Sequence, residues 1–349
     1  MARHASAAVT KSSIRSMVIA MAALTLFVVA MIASYSGAFA RPTLHHLTVA
    51  VAAPEQVVEG LRGQDALAVN AVDSGAAARQ QVTRREADTA FVVSPSGEMT
   101  IYVAGGGGKS VATAAESVGR EVAAHSGLTA TVEDVAPTSP ADPSGTVEFY
   151  AIIFLSIGAT LGATAIGYLM GRVHRPVTLL LRTVTLAAYS AVLAGVVTVY
   201  VDGVLGALTG HTWLVFGALW LYSMAVGGAV TGVAAAFGTA ASALLTLFLV
   251  VVGNAAAAGP VGRPLLSPFY ATFTKIVPQG SGVSLLRSIS YFDGHGAAAP
   301  LLTLAAWGAA GCLLAVLATA FRLNYRGRYE RFTCRDRAVL QPRHLSPAD

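Results

Sequence analysis

Hydrophobic positions fall into two regimes along the chain. Between residues 41 and 146 they come in short runs punctuated by Gly, Pro, Ser and Asp. On either side they merge into stretches long enough to cross a bilayer, which takes about 20 helical residues. Six spans are predicted. The first covers roughly Met17 to Ala38, the second Phe149 to Met170 and the third Val177 to Val201. Residues 203 to 258 form a 56-residue region without Lys, Arg, Asp or Glu, too long for one crossing and suited to two, placed near Thr212 to Thr231 and Ala234 to Gly253. The sixth runs from Pro300 to Phe321.

The more polar segment reads as a small α/β domain. Leu47 to Ala53, Ala66 to Asp73, the two runs joined at Ser94 to Gly97, and Leu128 to Val135 are strand-like. Between them lie a short helix opened by Pro54, a polar helical run from Ser74, and a helix after Lys109 in which Val111, Ala114, Ala115, Val118 and Val122 recur at helical spacing. A three-proline stretch, Ala136 to Gly145, links this domain to the second span.

Charge orients the pattern. Only 12% of the 349 residues are charged, and thirteen of the eighteen acidic residues fall between Glu55 and Glu148. The basic segments are the N-terminal arm, the connection Gly171 to Pro176, and a tail with Arg322, Arg326, Arg328, Arg331, Arg335, Arg337 and Arg343. Six spans put all three on one face, which the positive-inside rule makes cytoplasmic. The expected fold is therefore an α-helical polytopic membrane protein with six spans, both ends inside, and an α/β extracytoplasmic domain between spans one and two. Its parts are residues 1–40 (arm and first span), 41–147 (extracytoplasmic domain and linker), 148–321 (five-span domain with an outer helical loop, 254–299) and 322–349 (basic tail). Ala38-Phe39-Ala40 matches an A-x-A cleavage pattern, but the apolar core before it exceeds that of a signal peptide and reads as a retained anchor.

Candidate chemistry is sparse. The stretch from Tyr102 to Ala115, with Gly105 to Gly108 followed by Lys109-Ser110, imitates a P-loop but has Val103 where the first motif glycine belongs, and it falls on the extracytoplasmic side. It reads as a turn with Ser110 capping a helix. His45-His46 lacks a Cys or carboxylate at ligand spacing, and no cofactor or metal is expected. With no Ser-His-Asp, H-E-x-x-H or paired-carboxylate arrangement, an enzyme is not expected. The net charge of +5 resides in orientation signals without aromatic interleaving, so nucleic acid is not an expected partner. The two cysteines, Cys312 and Cys334, offer no disulfide framework.

Within the spans, Arg182 is the only well-internal charge, either snorkelling to the headgroups or facing a pathway. Gly158 and Gly162, Gly167 and Gly171, and Gly228 and Gly232 each make G-x-x-x-G and are expected at close helix contacts. In the outer loop, Ser267-Pro268 starts one helix and Pro278 another, where Leu285, Ile289 and Phe292 form an apolar stripe. That stripe is expected to rest on the membrane surface or on other spans, as a packed lid or a gate.

One span, a large external domain, then five spans with a helical loop before the last: this layout resembles type-2 ABC exporter permeases and the related phage-infection-protein family. Val277 to Gly294 is similar to the stretch preceding the last span in actinobacterial members, and Ala87 to Gly127 to the strand pair and helix of their external domain. The resemblance implies a plasma-membrane permease subunit, homodimeric or heterodimeric. It would export a hydrophobic or amphipathic compound or an envelope component with a separate cytoplasmic ABC ATPase. Arg172 and Arg175, in the short connection between the second and third spans, are the expected contact for that ATPase, and membrane lipid the other partner. The alternative is a non-transporting receptor or scaffold whose external domain binds an envelope partner or phage.

Overall fold

A computed structural model describes residues 11–171 and 176–339 of the chain, with side chains from residue 14 to 322 outside that gap. Arg172 and Arg175 lie outside the described residues.

The α/β domain has all five expected strands: β1 Leu47–Ala52, β2 Leu67–Ala71, β3 Thr89–Val93, β4 Glu98–Val103 and β5 Thr129–Asp134. Their order is β2-β1-β3-β4-β5, parallel throughout except for the β3–β4 hairpin. That hairpin turns at Ser94 to Gly97, where Gly97 takes a φ of 83° and Ser94 accepts and donates across the turn. One sheet face carries large residues, Leu47, Val49, Val51, Phe91 and Ile101, packed against helices α2 (Glu55–Arg62) and α4 (Lys109–His125). Helix α1 (Lys11–Phe39) precedes the domain. The other sheet face is built of alanines, Ala50 and Ala90, against Ala78 and Val82 of α3 (Gly75–Thr83). Small side chains leave that face shallow, and Phe292 fills the remaining space from a different part of the chain.

Five helices are long and apolar enough to cross a membrane, so the chain is a multi-pass membrane protein. They are α1, α5 (Val147–Met170), α6 (Pro176–Thr198, continued by a π-helical turn to Val204), α7 (Thr212–Phe237) and the apolar part of α11, which spans Ala298–Val339 in all. The uncharged region divides differently from expectation. Helix α7 runs past Thr231 to Phe237, and the break comes at Gly238, whose φ of 90° disfavours any side chain. What remains is α8 (Thr239–Phe248) and a π-helical turn ending at Gly253, which together are about 22 Å long at 1.5 Å per residue, against roughly 30 Å of hydrocarbon.

Helix α7 is the hub of the bundle, touching α5, α6, α8 and α11. Glycines permit two close helix contacts, α5 with α6 and α7 with α11. Gly158, Gly162 and Gly167 of α5 lie beneath Leu193, Tyr189 and Arg182 of α6, and the Tyr189 hydroxyl donates to the Gly158 carbonyl at 2.9 Å. On α7, Gly228 and Gly232 lie against the backbone of Gly311 on α11, a partner glycine that no spaced motif announced. Gly171 differs from expectation: at φ 64° it ends α5, and nothing lies within 4 Å of where its Cβ would be. Helix α1 meets the rest near its end, where Ser34 donates to the Val251 carbonyl at 2.9 Å and Ala38 packs with Ala255, Ala258 and Leu266.

After α9 (Pro268–Thr274) comes α10 (Pro278–Tyr291), with Pro278 at its first turn. A stripe resting on a surface would leave the opposite face of α10 exposed, yet Gly280, Ser281, Gly282, Arg287 and Ser288 are buried along with Leu285 and Ile289. The helix contacts α5, α7 and α11 together with the glycine turn of the α/β domain. Its apolar residues belong to two cores: Leu285 and Ile289 pack with the spans, and Phe292, just past the helix, packs with the sheet.

Candidate functional site

The glycine run is the seat on which α10 docks. Strand β4 enters a single 3-10 turn, Gly105 to Gly107, and α4 leaves it. A Cβ on Gly106 would overlap the Tyr291 ring, so a side chain is excluded there, and one on Gly107 would sit in contact with the Phe292 ring at 3.4 Å. The loop amides are already engaged. Gly105 donates to Asp134 Oδ1 at 3.0 Å, Gly106 to the Ala136 carbonyl at 2.7 Å, Gly107 to Ala104 and Gly108 to Gly105. A phosphate cradle needs those N–H groups free, so this loop is not one. Ser110 does not cap α4 either; its hydroxyl accepts from the Gly262 amide at 3.0 Å and ties down the loop after α8.

Arg287 clasps the joint. It is 4% exposed, and its guanidinium donates to four carbonyls: Gly107 (3.3 Å), Ala258 (3.1 Å), Gly145 (3.3 Å) and Gly259 (3.1 Å). Those oxygens belong to the glycine turn, the linker before α5 and the loop after α8, so one side chain joins three segments to α10. Arg85 reaches the same helix from the α/β domain. Its backbone is left-handed (φ 60°), its Nη1 donates to the Ser284 carbonyl (2.8 Å) and the Ser288 hydroxyl (2.5 Å), and its charge lies 5.0 Å from the Phe292 ring centroid.

Between these elements lies a cavity of ≈ 420 Å³, within the range of small-molecule sites. Arg85, Arg263, Lys275 and Arg287 line it, with Asp88 as the single carboxylate. Burial first, and then the Arg287 charge, pull the Arg85 guanidinium down to about 10, with Asp88 opposing. Burial pushes the Asp88 carboxyl up, resisted by the Thr48 amide, which donates to it at 2.9 Å, and by Arg263 and Arg85. Among the described residues, ion pairs join Arg62 to Glu55 and Glu59, Arg79 to Glu133, and Arg120 to Glu116, so no cation of the cavity has a carboxylate within 4.0 Å.

Beside the joint, Glu148 is 0% exposed, and neither carboxylate oxygen finds a hydrogen-bond partner among the described residues; the Tyr291 hydroxyl is likewise unpartnered. Burial foremost, then the Glu148 charge, raise the Tyr291 phenol well above its ordinary value.

Of the residues singled out in sequence, Leu285, Ile289 and Phe292 converge on this joint, whereas Arg182 does not. Arg182 is 6% exposed, with its guanidinium against Gly167 of α5 and its Nε unpartnered among the described residues, so it packs between α5 and α6. Arg85, Arg287 and Glu148 carried no motif; the available signal was a charge next to apolar runs. His45 meets the Thr43 hydroxyl at 2.7 Å, and among the described residues no group of three or more His, Cys, Asp or Glu could hold a metal ion. Compared with protein families, with curated proteins and with solved structures, the chain matches none.

Proposed function

We propose that the chain is the membrane permease subunit of an exporter of the type-2 ABC kind, moving a hydrophobic or amphipathic compound or an envelope component with energy from a separate ATPase. In this reading both ends lie in the cytoplasm, α8 completes a sixth crossing of the plasma membrane, and residues 41–147 are extracytoplasmic. The observation that carries it is α10, one buried helix that belongs both to the core of the spans and to the α/β domain and that walls a cavity between them. A helix so shared transmits movement of one body to the other, because packed elements shift as rigid units. The Leu285, Ile289 and Phe292 side chains then act as the seal on that side, and the Gly232–Gly311 contact as a sliding surface.

The test is co-purification. The full-length chain, extracted from its own membranes in a mild detergent, should bring an ATPase with it, and Arg172→Ala with Arg175→Ala should release it. Extraction that yields no ATPase, together with unchanged export when ATP is depleted, would end this reading.

A second reading, a receptor or scaffold, is favoured by a groove on the α/β domain between α2 and α4, bordered by Gln56, Gly60, Gln64, Glu121 and His125. A partner bound there while no compound is exported would select it.

A further inference from the structure

We infer that the cavity at the joint binds a phosphate-type anion, with the apolar wall beside it receiving the hydrophobic part of an amphiphile that carries such a group. The inference rests on cavity geometry and charge, and it supplies a ligand class for the transport reading.

Four cations and one carboxylate face a space of ≈ 420 Å³. Arg287 is buried and Arg85 half-buried, and two such like charges are unfavourable unless an opposite charge joins them; Arg263 and Lys275, at the exposed edge, add to the positive field. The described residues do not supply it: the lone carboxylate of the lining, Asp88, is held by the Thr48 amide and forms no ion pair with Arg85 or Arg263. Donors are left over as well. Arg85 commits only Nη1, leaving Nε and Nη2 without a protein partner among the described residues. Arg263 and Lys275 are both exposed, and neither side chain has a hydrogen-bond partner among the described residues. A planar guanidinium with two adjacent free nitrogens matches two oxygens of one tetrahedral anion, and a lysine adds a point charge. An anion with several oxygens and more than one charge suits this excess better than a single carboxylate.

Arg85 follows the Arg84 C-cap of α3 in the left-handed region (φ 60°), a helix-ending turn from which its side chain reaches α10. Val82, Val111, Val283, Phe292 and Pro300 give the wall apolar surface beside the cations, with Thr274, Ser281, Ser284 and Thr303 also lining it. The same cavity therefore offers contacts for charge and for hydrocarbon.

The experiment is equilibrium binding to the purified full-length chain in a maltoside detergent. The probes are inorganic phosphate, dioctanoyl phosphatidic acid and, as the uncharged counterpart, dioctanoyl glycerol. Saturable binding of phosphatidic acid, and at least about tenfold weaker binding of the glycerol, is expected. Arg263→Gln and Lys275→Gln, both exposed and without side-chain hydrogen bonds among the described residues, should each weaken it several-fold, and Arg85→Gln about tenfold or more. Arg120→Gln, which removes a surface ion pair with Glu116, should leave it unchanged. Phosphate binding as tightly as the lipid identifies the free ion as the ligand, and lipid binding far more tightly identifies a headgroup; either supports the site. Equal affinity for the glycerol, no saturable binding of either anion, or wild-type affinity in the folded Arg263→Gln and Lys275→Gln proteins overturns it. Binding is read on the isolated chain, so loss of ATPase association and loss of anion binding are separate results.

Discussion

Gly106 and Tyr291 meet with no room between them: a methyl group on the glycine would overlap the tyrosine ring, although 185 residues of chain separate the two. Gly106→Ala should therefore lower stability by about 1–3 kcal/mol through overpacking. Gly60→Ala, in α2 with nothing within 4 Å, should raise it by up to about 1 kcal/mol. Thermal unfolding in detergent compares them, and a Gly106→Ala midpoint at or above wild type would contradict the close docking.

Arg287 satisfies four carbonyls at once. Arg287→Met should cost about 3–5 kcal/mol, since it strands several buried carbonyl oxygens at about 1–3 kcal/mol each. Arg287→Lys should fall between the two, because an ammonium has only three donors. Hydrogen exchange localises the effect: amides of residues 105–108 should exchange faster in both variants than in the wild type. Unchanged protection there would mean that the glycine turn is held without the arginine.

Glu148 is the opposite case, a buried carboxylate whose oxygens have no partner among the described residues. Glu148→Gln should stabilise the protein by about 1–3 kcal/mol at neutral pH, because a neutral amide loses less on leaving water. A lower unfolding midpoint would show that the carboxylate is engaged in the native protein.

Asp88 links the cavity to pH. Its folded carboxyl is raised by burial, so the folded state holds the proton more tightly than the unfolded one. Its contribution to stability is full below the unfolded value of about 3.9 and is lost as pH rises through the folded value. Asp88→Asn, which keeps an acceptor for the Thr48 amide, should thus gain on the wild type as pH rises from 4 to 7. It should also tighten phosphatidic acid binding a few-fold. A stability difference that is flat over that range would remove the titration.

Strands were legible because each is a short apolar run between turn residues, and the β3–β4 turn announces itself at Ser94 to Gly97. The break in the uncharged region was not. Residues 203 to 258 carry no charge, and nothing in the sequence separates Gly238, where α7 stops at a positive φ, from the other glycines there. Helix α10 was half legible: the stripe of Leu285, Ile289 and Phe292 is in the sequence, but its other face is buried through small residues. Gly282 lets α10 approach Ile152 and Tyr222, and periodicity has no symbol for a glycine that packs. The cavity was invisible, since Arg85, Arg263, Lys275 and Arg287 are far apart in sequence and share no motif.

The alanine face of the sheet, closed by Phe292, has a consequence for biosynthesis. The last strand ends at Asp134, and the aromatic residue that covers Ala50 and Ala90 is made only after three further membrane-length helices. At about 5–20 residues per second, the nascent domain waits roughly 10 to 30 seconds with that face uncovered. Through that interval it is a half-closed intermediate, dependent on whatever shields it beside the membrane, and its maturation is timed by the ribosome.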